Sequence, residues 1–171
     1  MNPNMKLAAK ILCVMLAAAV VGCAGYQVGN QTLFRSDVRT VHVPVFESNS
    51  FRRFLGERLT EAVVKEIEQR SPYKVTTSDK ADTILQGRVF YERKRVLSYT
   101  INADPRNLEY EMIVDVTWTD RLGRSMTQRP TIRVTYDTTF IPESGQSLTT
   151  AQQELIERIA QQIVSQMETP W

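Results

Sequence analysis

The sequence predicts an α+β fold, a two-layer sandwich in which two amphipathic helices pack on one face of a mixed sheet. Three observations carry that reading. Leu108, Tyr110, Met112, Val114, Val116 and Trp118 alternate with mostly polar residues over eleven positions, the period of a strand with one buried face. Segments 51–70 and 148–167 instead repeat their apolar residues at helical spacing. Each helix has one apolar face, and a sheet with one apolar face can receive both.

In chain order, Val41, Val43 and Val45 alternate with Thr40, His42 and Pro44 and predict a first strand. Pro44 lacks an N–H, so the strand must end or lie at an edge there. Glu47-Ser48-Asn49-Ser50 reads as a turn that supplies an N-cap. In the following helix Phe51, Phe54, Leu55, Leu59, Ala62, Val63 and Ile67 share one side. Arg52, Arg53, Glu57, Glu61, Lys65 and Glu68 fall mostly on the other, with Glu61 and Lys65 in the favourable i,i+4 order. Ser71-Pro72 stops this helix, because the residue before proline avoids helical geometry.

Tyr73 to Thr77 is a short strand and 78–82 a loop. Ile84 to Val96 reads as a long strand, with Leu85, Gly87, Val89 and Tyr91 on one face and Gln86, Arg88, Phe90 and Glu92 on the other. Gly87 inside it signals a bulge or a close backbone approach. Ser98 to Asn107 reads as an exposed loop before the alternating strand, and Asp120-Arg121-Leu122-Gly123-Arg124 as a hairpin turn. The return strand passes through Ile132, Val134 and Tyr136, and Pro130 demotes its start to an edge or bulge. Ser147, Thr149 or Thr150 caps the final helix, whose stripe is Leu148, Leu155, Ile156, Ile159, Ile163, Val164 and Met167. Trp171, beyond it, can dock on the domain or on a partner, with docking on the domain the simpler expectation.

The N-terminus has a different character. Lys6 and Lys10 precede an apolar run from Ile11 to Val21, and Val20-Val21-Gly22 leads into Cys23. That run is about 16 Å long as a helix, short of the roughly 30 Å of a bilayer core, so it reads as a secretory signal over residues 1–22. Val20-Val21-Gly22-Cys23 resembles a bacterial lipobox, in which the cysteine thiol is alkylated by a diacylglycerol. Residues 23–36 then form a lipid-anchored tether, and 37–171 a single domain. Ala24 after the cysteine resembles the pattern of lipoproteins sent on to the outer membrane.

Removal of residues 1–22 takes two Lys and no acid, so the mature chain has 19 Lys+Arg and 19 Asp+Glu. This neutrality argues against a nucleic-acid partner, which requires clustered uncompensated basic charge. Cys23 would be the one remaining cysteine, leaving no disulfide framework and no cysteine-ligated metal site. Catalytic patterns are missing as well. His42 is the single histidine, and there is no HExxH, GxSxG, GxGxxG or Walker loop. The carboxylate pairs Asp79/Asp82 and Glu109/Glu111 are explained as well by a solvated loop and a solvated strand face. The chain therefore reads as no enzyme, with no cofactor.

Cys23-Ala24-Gly25-Tyr26, VHVPVFESNSFRRFLGERLTEAVVKEI at 41–67 and ADTILQGRV at 81–89 together resemble the LptE family of lipopolysaccharide-assembly lipoproteins. The resemblance rests on their order: an acylated Cys close to Gly-Tyr, a strand ending V-P-x-F, a helix with L-T-x-A-V-x-x-E, and a strand starting A-D-x-x-L-x-G. It implies two helices on a four-stranded mixed sheet. It also implies a lipoprotein on the periplasmic face of the outer membrane, anchored through Cys23. There it would sit in the lumen of the barrel LptD, assist its assembly and help deliver lipopolysaccharide. Arg93, Lys94, Arg95, Arg121 and Arg124, near loop ends, are the candidates to meet lipid A phosphates, Arg by its bidentate geometry. The competing reading is a pilotin-like lipoprotein chaperone for another envelope or secretion complex.

Overall fold

A computed structural model describes residues 33–168, apart from 51 and 53. Cys23, Phe51 and Trp171 lie outside the described residues. Along the chain come β1 (Thr40–His42), β2 (Glu47–Ser48), α1 (Leu55–Arg70), β3 (Lys74–Val75), β4 (Thr83–Tyr99), β5 (Pro105–Asp120), β6 (Ile132–Phe140) and α2 (Leu148–Ser165). A short 3-10 turn at Pro142–Ser144 precedes α2.

The predicted sandwich is present, on a mixed sheet of six strand segments where the family resemblance implied four. Its order is β3-β1-β4-β5-β6, with β2 also paired to β4. β1 runs parallel to β3 and β4, while β4, β5 and β6 are antiparallel neighbours. One extra segment is the short β3, and the other arises because one line of chain is broken at Pro44 into β1 and β2. β1 pairs His42 with Ile84 and β2 pairs Glu47 with Arg88, so five steps on one side oppose four on β4. The surplus residue and the missing proline N–H open the ladder over residues 43–46.

That opening turns Phe46 into the core. Its ring lies over Gly87, where an added Cβ would stand 2.2 Å from a ring carbon, and a Cβ on Gly56 would meet the Phe46 carbonyl at 2.1 Å. The Phe46 N–H donates to Thr60 Oγ1 at 2.9 Å, and that hydroxyl donates to the Gly56 carbonyl at 2.8 Å. Gly87 thus serves the close approach its position predicts.

The apolar layer contains Leu59, Val63 and Ile67 of α1, Leu85 and Val89 of β4, all six alternating residues of β5, and Leu155, Ile156, Ile159, Ile163 and Val164 of α2. Ser147 caps α2 by accepting the Thr150 N–H at 3.0 Å. Phe34 is buried too, packed edge-on to Tyr73 with centroids 5.5 Å apart, so the last part of the expected tether belongs to the packed fold.

Three local expectations are corrected. Helix α1 starts at Leu55 with Phe54 at φ 60°, four residues later than the apolar spacing suggests, and Phe54 is 68% exposed. Ser48 and Ser50 bond the N–H groups of Ser50 and Arg52 instead of capping the helix. The 98–107 loop is only a tight turn, because β4 runs to Tyr99 and β5 begins at Pro105. On β4, Val89 pairs with Val114 but Tyr91 with Ile113, a bulge at Phe90. It reverses the alternation, turning Tyr91 outward and Glu92 inward.

Candidate functional site

The β4–β5 ladder presents two different faces, and the candidate basic residues divide between them. Residues opposite each other in an antiparallel pair share a face, so Arg93 and Arg95, opposite Glu111 and Glu109, lie on the face away from the helices. They bond those carboxylates at 3.2 and 2.7 Å. Lys94 lies opposite Tyr110 on the helix-side face, where its side chain is exposed. Arg121 and Arg124 are in the β5–β6 turn, which begins ten residues along from Glu111, about 33 Å at strand rise. There Arg124 bonds Asp120 at 2.6 Å, and Arg121 donates to the Ala81 carbonyl beside Asp82. Five residues read together in the sequence therefore form two groups, one on the distal half of the β4–β5 ladder and one at the β5–β6 turn.

Beyond Arg95 the hairpin carries Leu97, Tyr99 and Ile101, all exposed, with Ile101 fully so. A second bulge at Leu97 turns an apolar side chain outward next to the basic run. The sequence reading of 98–107 as a loop hid this apolar tip. Its signal was the spacing of Leu97, Tyr99 and Ile101, which continues the strand period of β4.

The open face of the sheet is ionic and largely self-matched. Arg88 bonds Glu47 at 2.7 Å, and Arg133 of β6 donates through Nε and Nη2 to Asp115 at 2.8 and 2.9 Å. The hydrogen bonds from Arg133 hold the Asp115 carboxyl below its ordinary value, with the charges of Arg133 and Arg88 assisting. Arg133 also stacks on Phe90 at 4.6 Å.

A polar knot is set into the helix-side face. Glu92, made inward by the bulge, accepts hydrogen bonds from Ser50 and the Tyr110 hydroxyl and pairs with Arg52 at 3.3 Å. Gln152 of α2 donates to the Tyr110 oxygen at 3.4 Å, and Arg58 of α1 donates to Gln152 at 3.0 Å. Burial first, then the bond to Glu92, pushes the Tyr110 hydroxyl well above its ordinary value. The knot ties both helices to β4 and β5.

The remaining singled-out residues are structural in their contacts. His42 donates through Nδ1 to the Thr76 carbonyl at 3.0 Å. Asp82 accepts from the N–H of Thr40 at 3.1 Å, from Arg39 at 3.2 Å and from the Thr40 hydroxyl at 2.9 Å, pinning β1 to the start of β4. Asp79 accepts from the Thr77 hydroxyl at 2.6 Å. Among the described residues no group of three His, Cys, Asp or Glu is placed to hold a metal ion, and no helix is long and apolar enough to cross a membrane.

These features define a class: an α+β sandwich with one helix-covered face, one open ionic face and a projecting hairpin. The chain belongs to the LptE, lipopolysaccharide-assembly, family, whose model matches residues 38–168. Solved structures with the same fold include the solution structure of lipoprotein B from Nitrosomonas europaea, at 17% identity and TM-score 0.51, covering 81% of this chain and 90% of that one. A hypothetical protein from Chlamydia trachomatis matches at 9% identity and TM-score 0.50, over 75% and 94% of the two chains. No curated relative matches the chain in sequence.

Proposed function

We propose that the protein is an outer-membrane lipoprotein, acylated at Cys23 after removal of residues 1–22. In this reading the domain, packed from Phe34 onward and tethered from Cys23, partners an LptD-like β-barrel on the periplasmic side, assists its assembly and helps deliver lipopolysaccharide to the outer leaflet. The family match over residues 38–168 carries this reading. The self-matched ionic face supports it, since a domain seated in a polar lumen must keep its exterior wet and near neutral. Two or three acyl chains at about 0.8 kcal/mol per buried methylene suffice for stable anchoring. No catalytic step belongs to the role.

Lipid A combines phosphates with acyl chains, and the distal half of the β4–β5 hairpin combines Arg93, Lys94 and Arg95 with Leu97, Tyr99 and Ile101. That half is the proposed lipopolysaccharide contact. Arg121 and Arg124, tied to Ala81, Asp82 and Asp120 at the other end, are proposed as an accessory phosphate contact. Changing Arg93, Lys94 and Arg95 together to Ala is expected to weaken lipopolysaccharide binding; unchanged affinity in a folded variant removes the contact.

The partner is tested by isolating the tagged chain from native membranes in mild detergent and identifying both its partners and its N-terminal peptide by mass spectrometry. A diacylated Cys23 with a large barrel in near-equal amount is the expected result. Acylated chain with a different envelope complex in place of the barrel moves the function to a pilotin-like role.

A further inference from the structure

Where the tether from Cys23 meets the fold, the end of the sheet has a charge balance of its own. β1 and β4 start there and β5 ends there, since Val41 pairs with Thr83 and Thr83 with Asp120. The stretches 33–42, 74–82 and 120–131 hold seven Lys or Arg and four Asp or Glu. Most of those acids are engaged within the domain. Asp37 bonds Arg35 at 2.8 Å, Asp120 bonds Arg124 at 2.6 Å, and Asp82 accepts from Thr40 and the Arg39 N–H. Arg39, Lys74, Lys80 and Arg129 are exposed, and their side chains have no ion pair among the described residues.

Three of those cations converge on Thr40. Lys74 pairs with it in the β1–β3 ladder, the Lys80 carbonyl lies 3.4 Å from its hydroxyl, and Arg39 precedes it in the chain. Just beyond Asp120, in the turn that follows β5, Leu122 is 77% exposed between Arg121 and Arg124. Asp120 accepts from the N–H groups of Leu122 and Arg124 at 2.8 and 2.9 Å, so the leucine projects from a loop whose backbone is held. An exposed leucine beside unmatched cations suits a headgroup layer, where phosphates meet the charge and the apolar side chain enters the acyl boundary.

Chain length and charge indicate which surface this end meets. The ten steps from Cys23 to Leu33 reach at most about 36 Å, and Phe34 packs on Tyr73, the neighbour of Lys74. On the outer faces of α1 and α2, by contrast, the exposed Glu57, Glu61, Glu68, Glu154 and Glu157 outnumber the cations. An anionic surface is therefore attracted to the anchor end and repelled by the helices. We infer that this end rests on the phospholipid leaflet that holds Cys23, with Arg39, Lys74, Lys80 and Arg129 on anionic headgroups and Leu122 at the acyl boundary. The inference rests on the acylated reading of Cys23, and it suits a domain whose hairpin enters a barrel while its anchor end stays at the periplasmic mouth. An acyl anchor and a basic patch then act on one surface, each reinforcing the other.

The test uses the mature chain, residues 23–171, with Cys23→Ser, so that no acyl chain holds it to a bilayer. It is expected to sediment with vesicles of phosphatidylglycerol and phosphatidylcholine in equal parts, not with phosphatidylcholine alone, and to be released as salt is raised. Lys74→Gln, Lys80→Gln and Arg129→Gln together, in a chain with unchanged circular dichroism, are expected to weaken binding about tenfold or more. A polarity-sensitive dye on Leu122→Cys is expected to shift to the blue on the mixed vesicles, and the same dye on Ile101→Cys, at the hairpin tip, to stay unshifted. Failure to sediment, full binding by the triple variant, or a shift at residue 101 as large as that at residue 122 overturns the inference. Because the assayed chain bears no acyl group, that failure is separate from failure of the acylated reading, which the mass of the N-terminal peptide from native membranes decides.

Discussion

Gly87→Ala isolates the contact that organises the first half of the fold. The new Cβ would lie 2.2, 2.3 and 2.6 Å from three ring carbons of Phe46, against an optimal carbon–carbon separation of about 3.5–4.0 Å. The ring must therefore recede by more than 1 Å. It has little room, because Phe46 is buried and its own N–H is fixed on Thr60, whose hydroxyl is fixed on Gly56. Overpacking of this kind costs about 1–3 kcal/mol, and the upper half of that range is expected. Urea unfolding followed by circular dichroism measures it as a fall in midpoint at constant slope. Phe46→Ala alone is expected to cost about 3–5 kcal/mol through the cavity it leaves. Combined with Gly87→Ala, which places a methyl in that cavity, it should cost clearly less than the sum of the two. A Gly87→Ala midpoint within error of the parent, or strict additivity of the pair, refutes the argument that Phe46 and Gly87 are in contact.

Further outcomes follow from the polar pins. Asp82→Ala removes three acceptor contacts to Arg39 and Thr40 and is expected to lower stability by about 1–2 kcal/mol, with faster amide exchange at Thr40 and Val41. Tyr110→Phe deprives Glu92 of a donor in a largely buried site and is expected to cost about 1–2 kcal/mol, with partial recovery when Glu92→Gln is added. Acid sensitivity has a definite sign. The hydrogen bond from the Thr40 hydroxyl lowers Asp82, and the bonds from Arg133 lower Asp115. Their contribution is therefore present above the unfolded carboxylate value of about 3.9 and is lost as pH falls through the lower folded values. Stability should be flat in this respect from neutrality to about pH 5 and decline below about pH 4. Asp115→Asn should shallow that decline by at most about 1 kcal/mol, since the pair is solvent-screened.

The regular elements were legible because their periods are long. Eleven residues of near-strict alternation defined β5, and seven apolar positions at helical spacing defined α2, with Ser147 among its three candidate caps. What escaped the sequence is irregular backbone. Nothing in the composition of Phe90-Tyr91-Glu92 marks which residue is surplus, since either aromatic can serve an apolar face. One bulge reversed the facing of the residues from Tyr91 to Val96 and carried Glu92 into the knot. The late start of α1 escaped for a related reason: Phe54 has the spacing of a core residue, yet its backbone adopts φ 60° to turn the chain into the helix. The basic residues escaped as a group because ion pairing is decided across strands. Arg93 and Arg95 meet Glu111 and Glu109 from a strand whose register the sequence does not print.

Phe34 pairs with Glu168 in an isolated antiparallel bridge, and Glu168 in turn bonds Arg70 at 2.9 Å. The first and last described stretches of the chain thus leave from one corner, diagonally across from the hairpin tip. For a domain held by an acyl chain at Cys23, nine residues lie between the anchor and Leu33, a leash of ten steps that reaches at most about 36 Å. Any pull on that leash loads the Phe34–Tyr73–Glu168 corner before it reaches the sheet. Under the proposed anchoring, the point of attachment and the hairpin proposed to meet lipopolysaccharide lie at opposite ends of the fold.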